Sequence, residues 1–303
     1  MTWCVTHSGL WETEMVSAVG VAVEVFVDET RPTNFVEGIV AAAPTRTLPT
    51  MFWYPVRADA EPDADGGPYP LIVLAHGHTG HATDLGDLAS VLAANGYVVA
   101  SPDFPETTGG ATFDAFPNVV HQPEDVIFTI DAILAANDDS TSRYHGLIDR
   151  EKIGIGGRSL GAATALLTLY NTRFGEPRIR AAFCAAAMEF PIEGGTFEYE
   201  GGQPLLLAYG DADPMAAQVT EFALSVAIYA HAHPPKYLLT LKGQGHVNYF
   251  DRDDACFARF SRAVLAFYDR YVKDDLAAAL PTSYEDELIQ IEGEDNSPSG
   301  GHQ

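Results

Sequence analysis

Basic residues are scarce in this sequence. Lys and Arg number 17 against 42 Asp and Glu, and the 303-residue chain carries a formal net charge of −25. Such a surface repels phosphate backbones and anionic headgroups, so no nucleic-acid partner is expected. The acidity fits plain solubility or a salt-adapted host and carries no information about substrate. Cysteine is scarcer still. Cys4, Cys184 and Cys256 are odd in number, and their spacings fit no zinc pattern. Cys184 stands in "AAFCAAAM" and reads as a small core residue. No stretch of 18 apolar residues occurs, which excludes a membrane-spanning helix. There is no internal repeat. The N-terminal stretch "MTWCVTHSGLWETEM" has no basic region followed by an apolar one. No secretory signal is read there, and a cytoplasmic protein is expected unless a leader has been removed.

What is present points to a large buried core, since 47% of residues are hydrophobic and only 19% charged. "VAVEVFVDE" and "TLPTMFWYPV" are β-rich, and "RADAEPDADGGPYP" reads as an acidic turn region. From residue 70 the pattern alternates. "LIVLAHG", "YVVASPDFP", "KIGIGG", "IRAAFCAAAM", "PLLLAYGDAD" and "YLLTLKGQGH" read as strands. "HATDLGDLASVLAANG", "QPEDVIFTIDAILAAND", "SLGAATALLTLY", "QVTEFALSVAIYA" and "DACFARFSRAVLAFYDRYV" read as helices. Strands alternating with helices imply βαβ units around a mostly parallel sheet, an α/β fold. No linker interrupts the run, so a single domain is expected over residues 1–280. The remainder, 281–303, is acidic and ends in Ser, Pro and Gly, and is expected to be a partly disordered tail.

The stretch "KIGIGGRSLGAATALLTLY" carries the chemistry. Ser159 lies between an apolar strand and an alanine-rich helix, flanked two residues away by Gly157 and Gly161. A nucleophile on such a tight strand-to-helix turn needs small neighbours where the backbones approach, and the turn lifts its hydroxyl above the sheet. It also places that hydroxyl at a helix N-terminus, where negative charge is stabilised. Serine needs a base and an orienting acid, expected downstream in the order Ser, acid, His. "LKGQGHVNYF" supplies His246 in a glycine-rich loop after a strand. "PLLLAYGDADPM" offers Asp213, whose spacing from Gly210 lets the loop curl back towards the histidine; Glu189 and Asp211 are the alternatives. A developing oxyanion needs two N–H donors. The backbone of Leu160 is one, and "LIVLAHGHTG" offers that of His78 as the other, whose side chain need take no part. Thr79, Arg158 and Met188 are the expected substrate contacts. The segments "ETTGGATFDAFPNVVHQ" and "MEFPIEGGTFEYEGG" are long enough to border a pocket.

Together these motifs, with "RTLPTMFWYPV", "YVVASPDFP", "QPEDVIFTIDAIL", "YGDADP" and "GQGH", resemble the α/β-hydrolase family. Within it the chain looks like bacterial esterases related to dienelactone hydrolase, including platelet-activating-factor acetylhydrolase-like and cutinase-like polyester hydrolases. The resemblance spans roughly residues 40–250. It implies an α/β-hydrolase fold without a large cap domain. It implies Ser159 as nucleophile, Asp213 as acid, His246 as base, and His78 and Leu160 as oxyanion donors. Two departures stand out: Arg158 precedes the nucleophile where such enzymes commonly have His, and serine replaces the cysteine of dienelactone hydrolases proper. The implied activity is hydrolysis of carboxylic esters, with short-chain esters as the default and lipid-like esters or polyesters as the other substrates, and no metal or organic cofactor is needed. The competing readings are an amidase or peptidase using the same residues, or a catalytically silent binding protein on this fold.

Overall fold

The structure, a computed structural model, describes residues 18–218 and 222–295. Cys4 and the last residues of the acidic tail lie outside them. Ten strands form one sheet: β1 (Ala18–Asp28), β2 (Arg46–Val56), β3 (Tyr69–Ala75), β4 (Val98–Pro102), β5 (Ile148–Arg158), β6 (Ile179–Ala185), β7 (Leu205–Gly210), β8 (Lys236–Leu241), β9 (Ser283–Glu285) and β10 (Ile289–Glu294). Their order is β1-β2-β4-β3-β5-β6-β7-β8-β10-β9. The six strands from β4 to β8 run parallel, while β1, β2, β10 and β9 pair antiparallel at the two edges.

Among the described residues five α-helices cover the sheet: α1 (Gly86–Ala94), α2 (Gln122–Asp138), α3 (Leu160–Tyr170), α4 (Ser225–His231) and α5 (Phe257–Tyr271). On one face, Leu88 and Leu92 of α1 and Phe260, Val264 and Phe267 of α5 pack over Ile72, Phe183 and Leu239. On the other, Val126 and Ile130 of α2, Leu166 of α3 and Ile228 of α4 pack over Val73, Ile155 and Leu207. Burial on both faces explains why the central strands read as continuous apolar runs rather than alternating ones. Among the described residues no helix is long and apolar enough to cross a membrane.

The sheet does not end at residue 280. The segment read as an acidic tail supplies β9 and β10, and Ile289 and Ile291 reach the core at 0% and 1% exposure. Asp286 fastens this hairpin: it accepts from the N–H groups of Leu288 and Ile289, the Tyr284 hydroxyl and, at 2.5 Å, Arg259 of α5. Burial opposes the charge on Asp286, but these donors outweigh it and hold its carboxyl at about 2. Helix α4 also differs from the expected span: it begins only at Ser225, because Leu224 bridges to Met188 as extended chain.

A second anchor lies near the other edge. Arg46, the first residue of β2, is buried and donates to Asp125 through Nε and Nη2 at 2.5 and 2.7 Å, and to Glu106 at 2.6 Å. Glu106 also meets His121 Nδ1 at 2.7 Å and the Asn34 N–H at 2.8 Å. Burial disfavours its charge, but His121, the Asn34 N–H and Arg46 hold the carboxyl at about 2. The cluster ties β2, the start of α2 and the segment 104–121 into one unit.

Candidate active site

The carboxyl ends of the parallel strands share one edge of the sheet, so the loops that follow them converge there. Ser159 follows β5 immediately and has φ 55° and ψ −118°, a conformation that L residues rarely adopt. The two glycines around it are sterically obligatory. A Cβ on Gly157 would stand 2.2 Å from the Gly161 carbonyl oxygen, and one on Gly161 would stand 2.0 Å from that of Ala75. The turn is therefore as tight as the sequence spacing implies. The Ser159 N–H donates to Ala185 O of β6 at 2.8 Å, which fixes the turn against the neighbouring strand. Leu160 opens α3, so its N–H has no acceptor within the helix. Its buried side chain packs with Phe116, Val119 and Met188.

After β3 the chain turns through Gly77, with Gly80 N–H donating to Gly77 O at 3.0 Å. Thr79 sits at φ 62° and donates its N–H to Thr107 O at 2.9 Å. Among the described residues no backbone carbonyl takes the His78 N–H. His76 is fully buried beneath this loop: its Nδ1 meets Gly77 O at 2.7 Å, and its Nε2 accepts the Phe104 N–H at 3.1 Å. Those partners require the neutral Nδ1–H tautomer. Complete burial, opposed by the bond to Gly77, lowers the pKa of His76 below 6.5. The His78 ring packs on Phe116 at 5.4 Å between centroids and meets Thr112 O through Nε2 at 3.0 Å. Its pKa is also lowered, mainly by burial.

Asp213 follows β7 and His246 follows β8. The Asp213 carboxylate reaches His246 Nδ1 through Oδ2 at 2.6 Å, and its Oδ1 accepts the Met215 N–H at 2.8 Å. The side chains are 7% and 23% exposed respectively, so the pair is largely shielded from water while His246 keeps access to the cavity. A carboxylate on Nδ1 places the proton there and leaves Nε2 with a free lone pair. The two alternative acids are engaged elsewhere. Asp211 accepts the Gly243 N–H at 2.6 Å, and Glu189 binds Tyr199 and His231, each at 2.8 Å.

One cavity of about 820 Å³ gathers Ser159, Asp213, His246, His78 and Thr79. Met188 lines it as expected. Arg158 is not among the lining residues: it reaches Asp84 at 3.2 Å and lies over the Phe250 ring at 5.8 Å. The segment 104–121 reaches the cavity through Phe113 and Phe116, whose rings stack 5.3 Å apart. The remaining wall went unassigned in the sequence: Phe222, Leu224 and several residues of α4. The only signal for it was a helix pattern between two strands, which does not reveal which end of the sheet the helix flanks.

No protein-family model matches the chain, and no curated protein matches it in sequence. Among solved structures it is similar to a ferulic acid esterase from Streptomyces cinnamoneus, with a TM-score of 0.62 and 19% identity over 88% of this chain and 94% of that one. The fold is that of the α/β-hydrolases. Among the described residues no large inserted domain lies over the cavity; short loop segments and α4 wall it instead.

Proposed function

We propose that the protein is a serine hydrolase of carboxylic esters. The observation that carries this reading is Ser159, held at positive φ on a turn in the same cavity as a His246 imidazole hydrogen-bonded to Asp213. The likeness in fold to a ferulic acid esterase supports this reading.

In the proposed reaction His246 Nε2 takes the Ser159 proton as Oγ attacks the ester carbonyl carbon. Asp213 keeps the imidazole in its Nδ1–H tautomer and stabilises the imidazolium that forms. Negative charge develops on the carbonyl oxygen and meets the N–H groups of Leu160 and His78, donors already oriented by the start of α3 and by the loop that His76 underpins. Collapse of the tetrahedral intermediate breaks the bond to the alcohol oxygen, which takes the proton from His246. Water, deprotonated by the same imidazole, then attacks the acyl-enzyme, and the acid leaves with Ser159 restored.

Hydrolysis of p-nitrophenyl butyrate by wild type and Ser159→Ala tests the proposal. Turnover lost by at least about 10³-fold in the variant is the expected result. Equal rates in both proteins would reduce Ser159 to a turn residue.

A further inference from the structure

The cavity is larger and less polar than a short ester requires. Its ionisable side chains suited to a charge, His78, Asp213 and His246, are each already engaged. Much of the remaining wall is apolar: Phe113, Phe116, Met188, Met215, Phe222 and Leu224. Ser225 adds little polarity, because its Oγ is turned to the backbone and accepts the Ala187 N–H at 3.0 Å. Among the described residues no Lys or Arg lines the space, so a carboxylate or phosphate on the substrate would lose its hydration without gaining a counter-ion. The net charge of −25 adds to that cost.

Resting on the esterase reading above, we infer that the preferred substrate is an uncharged ester with a large apolar acyl group, on the order of eight carbons, rather than an acetyl or butyryl ester. A cavity of about 820 Å³ is the size that holds a drug-sized apolar ligand. An acetyl group leaves most of this wall facing water. Each methylene laid against it strengthens binding by roughly fourfold until the space is filled. The rings of Phe113 and Phe116 accept an aromatic acyl group by the same contacts. Of the substrate classes that the sequence suggests, this favours lipid-like esters over short-chain ones.

The test compares p-nitrophenyl acetate, hexanoate, octanoate and the charged monoglutarate on wild type, Ser159→Ala and Ala227→Phe. Ala227 lies on the exposed side of α4 and borders the cavity, so a phenyl group there fills the space without entering the core. The expected kcat/KM is at least about tenfold higher for octanoate than for acetate, and at least about tenfold lower for monoglutarate than for hexanoate. Ala227→Phe lowers the octanoate-to-acetate ratio about tenfold. Acetate as the better substrate, monoglutarate cleaved as well as hexanoate, or an unchanged ratio in Ala227→Phe would each overturn the inference. With Ser159→Ala inactive, any of these leaves the esterase reading intact. Absence of Ser159-dependent turnover on every ester would overturn that reading and this inference with it.

Discussion

At the scale of single residues, the turn at Ser159 concentrates both the strain and the chemistry. A non-glycine residue at φ 55° and ψ −118° costs on the order of 1–3 kcal/mol. Ser159→Gly is therefore expected to raise stability by about 1 kcal/mol while abolishing turnover, measured by urea unfolding and ester hydrolysis. Gly161→Ala is expected to lower stability, because its Cβ meets backbone that cannot move aside. A loss of about 3 kcal/mol or more in the same unfolding experiment is the predicted result. His76 gives the site a pH dependence of stability. Its folded pKa lies below 6.5, so the unfolded chain takes up a proton that the folded protein refuses. The stabilising effect is full above about pH 6.5 and is lost as pH falls from there towards the folded pKa. The urea midpoint should drop between about pH 7 and about pH 5, and His76→Asn should flatten that part of the profile.

Individual elements show how far the sequence could be followed. The stretch "QPEDVIFTIDAILAAND" matches α2 from Gln122 to Asp138 because proline and acidic residues mark its first turn. The strand-to-helix turn at Ser159 was equally legible, since each small residue there has a steric reason that spacing alone reveals. Asp213 could be ranked above Asp211 and Glu189 but not separated from them, because only the fold shows which carboxylate faces His246. Arg158 precedes Ser159 yet pairs with Asp84, because neighbours in sequence on a tight turn point in different directions. The C-terminal hairpin was hidden by composition. In "LIQIEGED" the apolar residues alternate as a strand requires, but the charges on its solvent-facing side dominate the reading. Removal of residues 281–303 is expected to destabilise the whole domain rather than trim a tail, since it strips Ile289 and Ile291 from the core and bares the edge of β8. A truncated protein that unfolds at an unchanged temperature would contradict this.

Across the whole molecule, the excess of 42 acidic over 17 basic residues opposes compaction. The buried cations that exist are committed to anchors, as Arg46 is to Asp125 and Glu106. Added salt screens the remaining repulsion, so the melting temperature should rise between about 0.05 and about 0.5 M NaCl. A fall over that range would mean that attractive surface pairs outweigh the net charge. The net negative chain encloses a cavity lined largely by apolar side chains, the contrast on which the inferred preference for uncharged, apolar esters rests.

In the proposed reaction Ser159 is the nucleophile, and His246 and Asp213 activate it. Intact-mass and peptide mass spectrometry after exposure to an alkyl fluorophosphonate tests it most directly, because serine attack at phosphorus expels fluoride and leaves a stable adduct. One adduct per chain is expected, on Ser159, absent in Ser159→Ala and formed at least about tenfold more slowly in Asp213→Asn. No adduct in wild type, or an adduct on another residue, would contradict it.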